Sequence, residues 1–119
     1  MATKPTGLPK LKKGEINVGI TLHDNKPHHL ILLPGDEKKN WKDAVAWAKK
    51  KGAELPSRID MLVLFERAKD KFEKTWYWTG QEYAGTADYA WIQYFSNGGQ
   101  GSYHESDACR CRAVRRVAI

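Results

Sequence analysis

Cysteine is scarce in this sequence: 119 residues hold only Cys109 and Cys111. Two cysteines cannot build the disulfide framework of a small secreted scaffold. In a strand, side chains two apart share a face, but without the geometry for an easy mutual bridge. A zinc site would need about two further ligands. No CxxC or HxxxH spacing supplies them, and His23, His28, His29 and His104 could be recruited only through the fold. The expectation is a pair of half-buried thiols, with no metal and no cofactor. Long apolar runs are missing too. The longest, Leu30 to Leu33, is strand-sized, whereas a membrane span needs roughly 20 residues. The start, MATKPTGLPKLKKGEIN, is basic but has no apolar h-region, so neither membrane insertion nor export by the general route is expected.

Signatures of catalysis are also absent. There is no Gly-rich phosphate loop, no G-x-S-x-G, no H-E-x-x-H and no EF-hand loop. Most carboxylates, among them Asp24, Asp36, Asp60, Asp88 and Asp107, fall in turns or helix starts, where caps and solvent account for them. Cys109 and His104 could in principle act as nucleophile and base. A buried strand cysteine and a surface histidine explain the same two residues, so a non-catalytic protein is expected. Lys and Arg number 20 against 14 Asp and Glu, a net charge of +6. Three basic clusters stand out: Lys10/Lys12/Lys13, Lys49/Lys50/Lys51 and Arg110/Arg112/Arg115/Arg116. They are dispersed along the chain, which reads as a solvated surface and makes nucleic acid an unfavoured partner.

What is present is order. Residues 1–14 carry lysines, prolines and glycines with little to bury, and read as a basic flexible arm before one domain over 15–119. Ile16 to Leu22 alternates apolar and polar positions, His23 to Pro27 is turn chemistry, and His28 to Leu33 is a second strand, so a hairpin is expected. Asn40 caps a helix with Trp41, Ala44, Val45, Trp47 and Ala48 at helical spacing, closed by Gly52. Ser57 caps a second helix running to about Phe72, with Asp60 placed for a capping box. Four strands follow: Trp76 to Glu82, Tyr89 to Phe95, Gln100 to Glu105 and Cys109 to Val117. The 97-NGG-99 turn is the clearest hairpin signal among them. The class is α+β, with the helices segregated from a C-terminal antiparallel sheet.

Within that sheet, 76-WYWTGQEYAGTADYAWIQYF-95 holds three Trp, four Tyr and one Phe. Strand alternation sets Tyr89, Trp91, Gln93 and Phe95 on one side and Ala90, Ile92 and Tyr94 on the other. Large rings on both sides imply that a sheet covered on one side only leaves some exposed. Exposed rings rimmed by amides and hydroxyls are surfaces on which saccharides and proteins stack.

Taken together, W-x-x-A-x-x-x-A, LPSR, an apolar helix, YWTGQEY, DYAWIQYFSNG and a terminal CRAVRR resemble the C-type-lectin-like domains of bacteria and phages. That family is related to the C-terminal domain of a collagen-like bacterial adhesin and, distantly, to phage receptor-binding and variable proteins. The resemblance spans residues 16–117. It implies that Trp78, Trp91 and Phe95 pack the sheet and that Val114 lies in the closing strand. It also implies that ligands bind through loops and exposed strands of the second half. The candidates there are Gln81, Glu82, Tyr83, Tyr89 and Tyr94, followed by Asn97, Gln100, Tyr103, His104 and Glu105. The E-P-N or Q-P-D loop and the W-N-D strand of calcium-dependent lectins are absent, so binding is expected to be calcium-independent. The expected partner is a bacterial surface glycan or protein, met by a phage-encoded component of a virion or tail. The alternative is an accessory protein in the host cytoplasm that binds and inhibits a host protein or nucleoprotein complex. Either role is compatible with a homo-oligomer.

Overall fold

In the computed structural model the described residues are 7–119, so the first part of the expected basic arm lies outside them. Residues 7–14 form no helix or strand. They are tied down where Arg115 Nη2 donates to the Lys10 carbonyl at 3.0 Å.

The first hairpin joins β1 (Ile16–His23) to β2 (Lys26–Leu32). Asp24 and Asn25 close it with φ of 54° and 61°, the left-handed pair that a tight two-residue loop requires. Asx residues tolerate that region better than most, which is why the turn is shorter than the expected His23 to Pro27. A short strand, β3 (Glu37–Lys39), follows. Three charged residues with no alternation carry no strand signal; β3 forms by pairing with Cys109–Cys111 and by the Trp78 indole N–H donating to the Lys39 carbonyl.

Both helices begin where their caps place them. Asn40 Oδ1 accepts the Asp43 N–H at 2.9 Å ahead of α1 (Trp41–Lys50). Ser57 and Asp60 complete a reciprocal capping box ahead of α2 (Arg58–Ala68), with bonds of 3.0 and 2.9 Å. The expected continuation of α2 to Phe72 does not occur. A 3₁₀ turn over Lys69–Lys71 leads instead to an extended Phe72. That geometry stacks the Phe72 ring on Phe95, centroids 4.0 Å apart, and sets it edge-on to Tyr77 at 4.9 Å.

The second half supplies β4 (Trp76–Glu82), β5 (Tyr89–Tyr94) and β6 (Gln100–His104), an antiparallel run. The expected strand from Cys109 to Val117 is in fact two, β7 (Cys109–Cys111) and β8 (Val114–Ala118). They belong to different sheets: β1-β2-β8 and β3-β7-β4-β5-β6. Arg112 holds the crossing, its guanidinium donating to the Lys71 and Leu33 carbonyls at 2.6 and 2.7 Å. The larger sheet is mixed, not purely antiparallel, because β7 runs parallel to β4 at Tyr77 and Arg110.

The helices do not share one side of this sheet. Trp78, Ala90, Ile92 and both cysteines pack in one core with Ala44 and Ala48 of α1. Tyr77 and Phe95 pack in a second core with Met61 and Leu64 of α2 and with Val114. Both faces carry rings because each is covered over part of its area, by α1 on one side and by α2 on the other. No helix among the described residues is long and apolar enough to cross a membrane.

Candidate binding site

Register sorts the aromatic stretch into rows. On the α1 side the rows are Trp76–Tyr94, Trp78–Ile92–Gly101 and Glu82–Ala90–Tyr103. Trp78 is fully buried in the middle row, while Trp76 and Tyr103 are 40% and 42% exposed. Trp76 stacks on Tyr94 with centroids 4.5 Å apart. Tyr103 tilts toward Trp78 at 6.4 Å. Gly101 lies between these groups, and a Cβ there would meet nothing within 4 Å. The result is an open shelf with rings at both ends.

The α2 side is built differently. Trp91, expected in the core, is only half-buried. Its ring face carries the Arg58 guanidinium at 3.5 Å, and Tyr83 packs against it edge-on at 4.9 Å. The first turn of α2 crosses the sheet here, so a cation covers the ring where core packing would need an apolar side chain. Gln100 Oε1 accepts from Arg58 Nε at 3.0 Å, and Gln81 Oε1 accepts the Arg58 N–H at 2.7 Å. Gln100 Nε2 also reaches the buried Gln93 amide at 2.8 Å. Gln81 and Gln100 are therefore already engaged in positioning Arg58 and α2, and Tyr83 in packing against Trp91.

The remaining candidates divide in the same way. Asn97 Oδ1 accepts the Gly99 N–H at 2.8 Å and shapes the β5–β6 turn, where Gly98 has a φ of 81°. Tyr89 packs edge-on against His104 at 5.3 Å, and His104 Nδ1 accepts the Ser106 N–H at 3.1 Å. Glu105 is 9% exposed, and its backbone bridges two elements: its N–H donates to Asp88 and its carbonyl accepts from Trp41. Burial, then the neighbouring Glu82 and Asp88 charges, raise its carboxyl pKa. A hollow of about 330 Å³ opens over it.

Elsewhere, burial pushes the Cys109 and Cys111 thiols up to about 12 and 11, which keeps both protonated and unreactive near neutrality. Another hollow, of about 450 Å³, lies between the first hairpin and α1. Lys49 and Arg116 are among its lining residues, and Arg116 is already paired with Glu54 and Asp60. Sequence reasoning reached Gly101 only as the end of an expected Asn97 to Gly101 loop surface, and missed Trp76. Both sit in a strand pattern that assigns a face but not what covers that face.

The chain matches no family model, and no curated protein matches it.

Proposed function

We propose that this chain is a non-catalytic binding module of C-type-lectin-like architecture, recognising a glycan or protein of a bacterial surface as a phage-encoded, virion- or tail-associated component. The exposed shelf of Trp76, Tyr94 and Tyr103 around Gly101 carries the proposal. Uncovered ring faces on a rigid sheet present apolar area at little entropic cost, and the C–H face of a sugar ring or a partner's side chain packs on them. The architecture supports the family reading, because the N-terminal hairpin meets the C-terminal strand in one small sheet and the second half carries the candidate face. A second reading is an inhibitor of a host protein. It is favoured by Cys109 and Cys111, both free thiols, which suit a reducing compartment.

Gly101→Val is the sharpest test. The position has no left-handed φ and has free space, so the variant is expected to fold as the parent does while filling the shelf. On a glycan array and on whole bacterial cells, binding should be lost in Gly101→Val. Tyr103→Ala should weaken binding by about 2 kcal/mol. Undiminished binding by Gly101→Val would remove the shelf from the proposal. Capture of a host protein from lysate, with no glycan or cell binding, would favour the second reading.

A further inference from the structure

Four strands border the two sheets: β1 and β8 in the smaller, β3 and β6 in the larger. An open edge invites another strand, and proteins usually blunt it with charge, a bulge or a cover. Three of these edges are blunted. β3 is Glu37-Lys38-Lys39. β1 breaks register between Asn17 and Gly19, where a Cβ on Gly19 would touch the Arg67 guanidinium at 3.4 Å. β8 carries Arg115 and Arg116, and its Val114 exchanges backbone bonds with Glu54. β6 differs. Its five residues, QGSYH, run in unbroken register on β5, with no proline and no Asp, Glu, Lys or Arg.

The phase of its hydrogen bonds fixes what this edge offers. Tyr94 N–H donates to the Gly99 carbonyl and Glu105 N–H to the Asp88 carbonyl, both at 2.8 Å. Inward-bonding residues alternate along an antiparallel strand, so Gly101 and Tyr103 also bond toward β5. The N–H and C=O groups of Gln100, Ser102 and His104 then point away from the sheet. Among the described residues, only the His104 carbonyl has a partner there, the Asp107 N–H at 3.0 Å.

This edge is complementary to itself. Laid antiparallel on a second β6, about a twofold axis at Ser102, all five residues pair. Ser102 meets Ser102 and Gln100 meets His104, so every outward donor and acceptor faces its complement. Any other antiparallel register that joins outward groups leaves part of the strand unpaired. Gly101 falls opposite Tyr103, in the kind of pair whose side chains approach most closely. A Cβ at Gly101 would meet nothing within 4 Å, and Tyr103 is 42% exposed, so each ring has room over the facing glycine. The only charged residues from Asn97 to Asp107 are Glu105 and Asp107. Both come beside the neutral Asn97–Gly99 turn of the other copy.

We propose that two copies of this chain pair through β6 and join their five-stranded sheets into one. The result is a closed twofold dimer, with both aromatic shelves on the same side and a Tyr103 from each copy bordering each shelf. The pairing stands on the edge alone; a role for the shared rings in binding rests on the shelf being the binding face.

The test begins with analytical ultracentrifugation of the intact chain from about 1 µM to 1 mM, the span in which small interfaces assemble. The mass should rise to twice that of one chain and stop there. In a mixture of labelled and unlabelled chain, an isotope-filtered spectrum should show a contact between Gly101 Hα and Tyr103 Hα of different copies. Ser102→Pro removes both bonds on the axis and leaves the inward ones, so self-association should weaken by about tenfold or more. Ser102→Lys keeps the backbone N–H but sets two cations face to face, and it should weaken pairing as well. Melting curves of dilute samples show that both variants are folded. A mass that climbs past two chains overturns the proposal. So does a dimer that both variants leave intact, or one without the Gly101–Tyr103 contact. A mass that stays at one chain overturns it too, and leaves the edge to an extended segment of another protein. None of these readouts uses a ligand, so failure of the shelf as a binding face leaves them unmoved.

Discussion

Trp78 and Trp91 carry the same side chain to different ends. Trp78 is fully buried, and its indole N–H donates to the Lys39 carbonyl at 2.8 Å. Trp91 lies half-buried beneath Arg58. Trp78→Ala is therefore expected to cost about 3–5 kcal/mol, a large part of a small domain's stability. Trp91→Ala should cost no more than about 2 kcal/mol, mainly the ring's contact with Arg58 and Tyr83. Denaturant unfolding of the two variants checks the ordering, and equal losses would contradict the burial described for Trp91. Alternation along β5 was legible in the residues, since Trp91, Gln93 and Phe95 do share a face. Which of them is covered was not, because the cover is Arg58, a residue far away in sequence.

At the scale of elements, local chemistry speaks most clearly at the helix starts. Ser57 Oγ accepts the Asp60 N–H, and Asp60 is fully buried and also paired with Arg116. Ser57→Ala removes the cap and loosens a carboxylate that cannot reach water. A loss of about 1–2 kcal/mol is expected, read as a lower denaturation midpoint at unchanged slope. A near-neutral result would mean that Arg116 and the Ser57 backbone N–H suffice to hold Asp60. Caps are legible because donor and acceptor lie three residues apart. The end of α2 and the break between β7 and β8 were not, since both answer to distant partners: Phe72 to Phe95 and Tyr77, and Arg112 to Leu33 and Lys71.

At the scale of the whole molecule, the two ends of the domain are clasped by one ion pair. Arg115 on β8 makes two hydrogen bonds to the Glu15 carboxylate, at 2.8 and 3.0 Å. Those bonds, with the Lys12 backbone N–H, lower the Glu15 pKa from 4.5 to about 2. A carboxyl whose folded pKa is depressed stabilises the fold above its unfolded value, and that contribution is lost as pH falls through the folded one. Stability should accordingly drop between about pH 4.5 and pH 2. In Glu15→Gln that part of the acid loss should be absent, and the stability at neutral pH lower. Melting curves across this window check both, and a parallel pH dependence in the two proteins would assign the acid loss to other carboxylates.

What the sequence determined by itself was whatever depends on near neighbours. The first hairpin, both caps, the β4–β5–β6 run and the faces assigned to the rings from Tyr89 to Phe95 all follow from turn residues, capping pairs and alternation over a few positions. Tertiary structure decided the rest. The crossing at Arg112 divided the last strand between two sheets, and α1 and α2 took opposite faces of the larger one. From that placement came the open shelf at Gly101, the cover over Trp91 and the burial of Glu105. These are contacts between segments far apart in the chain. Burial and exposure there depend on three-dimensional neighbours that no local pattern encodes.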